Sequence, residues 1–162
     1  MAEIKLTRVD YRLVHGRVVT QWVKICGADR IIIVNDELAN DEFMADIYRM
    51  SAPAGVSVEV KTVDQACEEY KADAFGSGKL LVLFKCVEDA LAAVRGGVEI
   101  ADVQIGGLGG GAGTTTAFGI AFRPSDVDAM KALDQEGVHV HVHVVPAQQD
   151  VELPELINKL GF

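Results

Sequence analysis

Apolar residues along this 162-residue chain fall into short clusters whose period switches between two and about 3.6, marking an alternation of strands and helices. Ile4, Leu6 and Val9 form a first short strand. Val18, Val19, Trp22, Val23 and Cys26 then recur at helical spacing until Gly27 offers a stop. Arg30 to Val34 is β-branched and reads as a buried strand. Asp36 to Met50 reads as a helix with Leu38, Met44, Ile47 and Met50 apolar, closed by Pro53-Ala54-Gly55. Val56 to Val60 alternates as a strand, Val63 to Lys71 is helical, Lys79 to Phe84 is a fully apolar strand, and Glu88 to Arg95 is a helix stopped by Gly96-Gly97. A short strand near Val103 to Ile105, a glycine loop and an extended stretch from Thr115 to Phe122 come next. Ser125 can cap a helix running to Gly137, Val138 to Val145 is a strand, and Leu153 to Leu160 is a terminal helix. The βαβα order predicts an α/β fold, one domain over residues 1–162. Its sheet would have about seven mostly parallel strands with right-handed crossovers, helices on both faces and room for an antiparallel edge.

Composition narrows the function. A hydrophobic fraction of 49% with only 6% aromatic suits an aliphatic sheet core. The formal net charge of -9 argues against a general nucleic-acid binder, which would need clustered cations. No apolar run approaches the roughly 20 residues that span a bilayer, and Met1-Ala2-Glu3-Ile4-Lys5 lacks a signal pattern, so a cytoplasmic location is expected.

Arg8-Val9-Asp10-Tyr11-Arg12-Leu13-Val14-His15-Gly16-Arg17 places cations, a carboxylate and a histidine where the first strand should meet the first helix. Ligands bind at such junctions in open α/β sheets, and a helix N-terminus favours an anion. A neutral imidazole at His15 can attack phosphorus through its free lone pair. Arg12 can fork onto phosphoryl oxygens, and Asp10 can orient Arg12 or fix the tautomer of His15. Taken singly, each of these residues also fits a solvated turn with surface ion pairs.

This run, with Trp22, resembles the active-site signature of enzyme IIB of the sugar phosphotransferase system, in its mannose/fructose/sorbose family. Ile31 to Asp36, Lys79 to Lys85, and Gly137-Val138 through Val145-Pro146 resemble later family segments, so nearly the whole chain is covered. The resemblance implies a phosphoryl carrier. His15 would be phosphorylated by a IIA protein and would pass the group to a sugar held by the membrane IIC and IID components, peripherally and with no metal or organic cofactor. It implies His15, Arg12 and Asp10 as catalytic residues and Arg12, Gly16 and Arg17 as phosphate contacts. A homo-oligomer is compatible with the sequence. Two positions depart from the family pattern: Arg17 stands where glutamine is usual, and Gln104-Ile105-Gly106-Gly107-Leu108-Gly109-Gly110-Gly111 replaces an Asn-Val-Gly type segment.

Three further features invite other chemistry. The glycines from Gly106 to Gly113 suggest a nucleotide loop, but Thr114 to Ile120 favours extended structure where a fingerprint would open a helix, so a flexible connection between strands is expected. His139, His141 and His143 alternate with valines and would share one face of a strand. They suggest the alternative of a zinc-dependent hydrolase or metal-binding protein. With no further ligand set in view, they read instead as the solvated face of an edge strand, where substitution is nearly neutral, and no metal site is assigned. Cys26, Cys67 and Cys86 are too widely spaced for a disulfide framework or metal knuckle, and Cys86 is expected to be a buried structural cysteine.

Overall fold

The computed structural model describes residues 2–16 and 18–162. Seven strands form one sheet in the order β3-β2-β4-β1-β5-β8-β9. They are β1 (Glu3–Asp10), β2 (Arg30–Val34), β3 (Ser57–Lys61), β4 (Lys79–Phe84), β5 (Asp102–Gly107), β8 (His139–Val142) and β9 (Val151–Glu152), with β6 (Thr115–Ala117) and β7 (Ile120–Phe122) forming a separate two-stranded sheet. All pairings in the main sheet are parallel except that of β9 with β8. The α/β architecture with its antiparallel edge is therefore as the pattern predicts.

Between the strands run a π-helical turn (Val18–Trp22) leading into α1 (Val23–Cys26), then α2 (Asp36–Ala39), α3 (Glu42–Met50), α4 (Val63–Asp73), α5 (Val87–Arg95), α6 (Pro124–Gln135) and α7 (Leu153–Leu160). Alternate residues of β2 and β4 enter two cores on opposite sheet faces. Ile32, Val34, Leu80, Val82 and Phe84 meet α4 to α6, while Ile31, Ile33, Leu81 and Leu83 meet Leu13, Val18, Val23 and Leu38.

The second of these faces changes character across the sheet. Register pairs Leu83 with Arg8, Arg8 with Gln104, and Gln104 with His141, so an apolar face on β2 and β4 becomes polar on β1, β5 and β8. Burial of so many polar groups requires them to satisfy one another. The strand order also reverses here, because β1 leads to β2 on one side and β5 toward β8 on the other. A crevice at the carboxyl ends of β1 and β5 follows.

Several boundaries differ from the pattern's expectation. The helix expected from Asp36 to Met50 breaks at Asn40-Asp41, since the Asp41 carboxylate accepts the Met44 amide at 3.1 Å and starts α3 afresh. Thr115 to Phe122 folds back on itself at Phe118-Gly119, both at positive φ (52° and 80°), the geometry of a tight hairpin turn. Asp126, not Ser125, caps α6 by accepting the Arg123 amide at 2.8 Å. The two-residue β9 is too short to leave a periodic signal. Because it pairs with β8, the histidine strand is not an edge.

Candidate active site

β1 ends at Asp10, and the chain turns sharply: the Leu13 amide donates to the Asp10 carbonyl at 2.9 Å. Leu13 sits at φ 57°, left-handed backbone that a branched residue adopts only when held, and its side chain is 2% exposed in the core beneath the turn. Anchored in this way, the turn brings His15 back over the end of its own strand.

Asp10 is the hub. Its side chain is fully buried; Oδ1 accepts the Arg12 amide and Nε, each at 3.1 Å, and Oδ2 accepts Arg12 Nη2 at 3.2 Å and Arg8 Nη2 at 3.3 Å. His15 Nε2 lies 3.0 Å from Oδ2. Burial pushes the Asp10 carboxyl up, but hydrogen bonds from Arg12 and His15 and the charge of Arg8 outweigh it and hold the pKa below the usual aspartate value. An ionised carboxylate can only accept, so Nε2 of His15 is the donor, and in the neutral form of the ring Nδ1 keeps its lone pair. Asp10 is thus within hydrogen-bonding distance of both residues the sequence offered it, Arg12 and His15. Only one edge of the Arg12 guanidinium is taken by Asp10, which leaves Nη1 and the second Nη2 hydrogen for an anion.

Beneath Asp10 lies a residue that motif reasoning passed over. Arg8 is fully buried, donates through Nη1 to Gln104 Oε1 and the His143 carbonyl (2.9 Å) and through Nη2 to the Val144 carbonyl (2.9 Å), and stacks 5.2 Å from the Trp22 ring. Trp22 in turn packs edge-on against His143 and donates Nε1 to the Val144 carbonyl at 3.3 Å. Arg8 thereby ties the floor of the site to β5 and the end of β8. The available signal was a charged residue in phase with the apolar Ile4 and Leu6 of an alternating strand.

The glycine run is corrected in part. Gly106 and Gly107 are not loop but the last residues of β5, beside Arg8 and Asp10. A Cβ on Gly106 would stand 2.1 Å from Arg8 Cζ, and one on Gly107 would stand 3.1 Å from Asp10 Oδ1. Since the guanidinium is held on several sides, Gly106→Ala is expected to cost about 3 kcal/mol, the upper end of over-packing penalties. An unchanged urea midpoint would show that Arg8 has room to move.

Of the other expected contacts, Gly16 is exposed, and a Cβ there would meet nothing within 4 Å, so any role in anion binding falls to its backbone. Arg17 lies outside the described residues. A cleft of about 280 Å³ opens beside Arg12, lined by Tyr11, Gly106, Gly107, Leu108 and Ile120 among others. Cys86 is only half-buried, yet burial pushes its thiol up to about 12, which suits no nucleophile near neutral pH.

The profile of the family described as "PTS system sorbose subfamily IIB component" matches residues 4–162. The chain belongs to this family. It is 35% identical to the sorbose-specific EIIB component of Klebsiella pneumoniae over 161 residues, 99% of this chain and 98% of that one. The crystal structure of the IIBSor domain of that organism's sorbose permease superposes with a TM-score of 0.91 at 35% identity, covering 99% of each chain. The mannose-specific EIIAB component of Escherichia coli K12 is 32% identical over 158 residues; these are 97% of this chain but 49% of the relative, so the chain spans about half of that protein. This is a IIB component of a sorbose/mannose-type sugar phosphotransferase system. No helix of the described residues is long and apolar enough to cross a membrane.

The histidine strand is also unlike its expectation. His139 is exposed, but His141 is 6% exposed, and β8 is covered on both sides. Asp102 of β5 pairs with both rings, Oδ2 to His139 Nδ1 at 2.6 Å and Oδ1 to His141 Nε2 at 2.7 Å. Glu152 and Asp150 meet the far nitrogens of His139 and His141, each at 2.6 Å. Hydrogen bonds with Glu152 and Asp102 push the His139 pKa up. Burial works against His141, but its two carboxylates outweigh it and raise the pKa there too. This ion-paired face is not a neutral surface, so substitution of the three histidines is not neutral either.

Proposed function

We propose that the chain is a phosphoryl carrier in which Nδ1 of His15 accepts phosphate from a IIA protein and passes it to a sugar held by membrane IIC and IID components. The observation that carries this reading is the 3.0 Å pairing of His15 Nε2 with the buried Asp10 carboxylate, which leaves Nδ1 as the nucleophile. In the accepting step the Nδ1 lone pair attacks phosphorus while the donor's phosphorus–nitrogen bond breaks. The Nε2 proton stays against Asp10, which steadies the positive charge left on the ring. The free edge of Arg12 faces the phosphoryl oxygens and offsets their charge, and neither metal nor organic cofactor has a part in the step. The A-and-B name of the Escherichia coli relative supports a IIA protein as donor, and a match from residue 4 to the last residue supports one IIB domain over 1–162. In this role the protein works in the cytoplasm against a membrane transporter.

The test is incubation with a phosphorylated IIA donor, followed by peptide mapping and nitrogen-resolved NMR of the acid-labile product. A phosphoryl group on Nδ1 of His15 is expected, and one on another residue would overturn the assignment. Arg12→Lys keeps the charge but cannot serve Asp10 and phosphate from two edges. Single-turnover transfer should slow by about 10- to 1000-fold, equivalent to about 1.4 to 4 kcal/mol of transition-state stabilisation. An unchanged rate would remove Arg12 from the transfer step.

A further inference from the structure

Among the described residues a group of potential metal donors converges at the opposite end of the same polar face. Asp102, His139 and His141 each place one donor atom within 4.8 Å of the others. Gly107, beside Asp10, lies five residue steps beyond Asp102, which puts this cluster about 16 Å from the phosphoryl site along β5. We propose that Asp102, His139 and His141 form a divalent transition-metal site, of the zinc class, that clamps β5 to β8.

Three features of the arrangement support a cation. The donor set, two imidazole nitrogens and a carboxylate oxygen, is that of three-ligand zinc centres, which leave a fourth position to water. Bond lengths of about 2.0 to 2.1 Å would hold donors about 3.3 Å apart, so around an ion that replaces the shared protons the 2.6 and 2.7 Å contacts to the two Asp102 oxygens open and the wider separations, within 4.8 Å, close. The third feature lies outside the ligand triangle. His139 Nδ1 and His141 Nε2 face Asp102, while His139 Nε2 meets Glu152 and His141 Nδ1 meets Asp150. A carboxylate behind each imidazole, taking the N–H of the nitrogen that does not bind metal, is the support that orients histidine ligands and raises their basicity.

The rings themselves stack at 4.8 Å between centroids and 8° between planes, so a shared ion requires the exposed His139 ring to tilt out of the stack. His143 is not part of the site. It packs on Trp22, and its Nδ1 is 3.9 Å from Asp150. The third ligand comes from a neighbouring strand rather than from the third histidine. Glu152 sits on β9 and Asp150 just before it, so an ion here would also fasten the short antiparallel edge.

The test uses the full chain, free of any affinity tag and stripped with chelator, titrated with zinc alone by calorimetry and with cobalt(II) for its visible spectrum. One equivalent of zinc, a tetrahedral or five-coordinate cobalt spectrum and a rise in Tm are expected. His139→Gln, at an exposed position, and Asp102→Asn should each weaken binding by at least 100-fold. Glu152→Gln should weaken it by about 10- to 100-fold. His143→Gln should bind as the unaltered chain does. Failure of the unaltered chain to take up a stoichiometric ion overturns the proposal. So does binding that survives both His139→Gln and Asp102→Asn, or that is lost with His143→Gln.

Discussion

His15→Ala is expected to accept no phosphate from a phosphorylated IIA donor while keeping the fold. Among the described residues of the Asp10 cluster the imidazole offers the nitrogen lone pair, because Arg8 and Arg12 are cations and Asp10 is saturated with donors. Its own hydrogen bond is to a side chain already held by Arg8 and Arg12, so its removal leaves Asp10 paired and costs little stability. Radiolabel retained on the folded variant, judged by circular dichroism and gel electrophoresis, would end the carrier mechanism. A variant that neither labels nor folds would be settled by His15→Gln, which fills the same space and keeps an N–H for Asp10.

Asp10→Asn is expected to damage both transfer and stability. Breaking a buried ion pair by removing one partner costs about 3 to 5 kcal/mol, and here the charge left behind is Arg8, with no exposure to water. For a chain of this size that corresponds to a fall in Tm of about 10 °C. Transfer should drop by about 100- to 10,000-fold, as it does where a buried aspartate that holds a catalytic imidazole is neutralised. The pH profile gives the sign. A carboxyl whose folded pKa is depressed contributes stability above about pH 3.9, the unfolded value, and loses it as pH falls through the folded value. The unaltered chain should therefore lose stability toward acid more steeply than Asp10→Asn does. Parallel acid denaturation curves would show that Asp10 is not the linked group.

The face that carries this chemistry was only partly readable along the chain. Arg8, Asp10 and Arg12 stand together in the run where the first strand was expected to meet the first helix. That Arg8 would be wholly buried was not evident, since its partners Gln104, His143 and Val144 lie 96 to 136 residues away. Gly106 and Gly107 looked like the start of a flexible loop because glycine runs usually are one. In the fold their lack of a side chain is what lets β5 lie against Arg8 and Asp10.

What the sequence by itself determined is the element order, the parallel sheet and the candidate phosphoryl site. Those depend on local periodicity, and on a motif whose members are brought together by one tight turn over five residues. Only the tertiary structure decided which groups share a surface across the sheet. It set the register of β1, β5 and β8, converted a histidine strand from a supposed solvated edge into an ion-paired interior one, and delivered Asp102 to His139 and His141 from 37 and 39 residues away. The physical reason is that neighbours in a parallel sheet are separated by whole crossovers, so a cross-strand contact leaves no periodic trace in either segment that makes it.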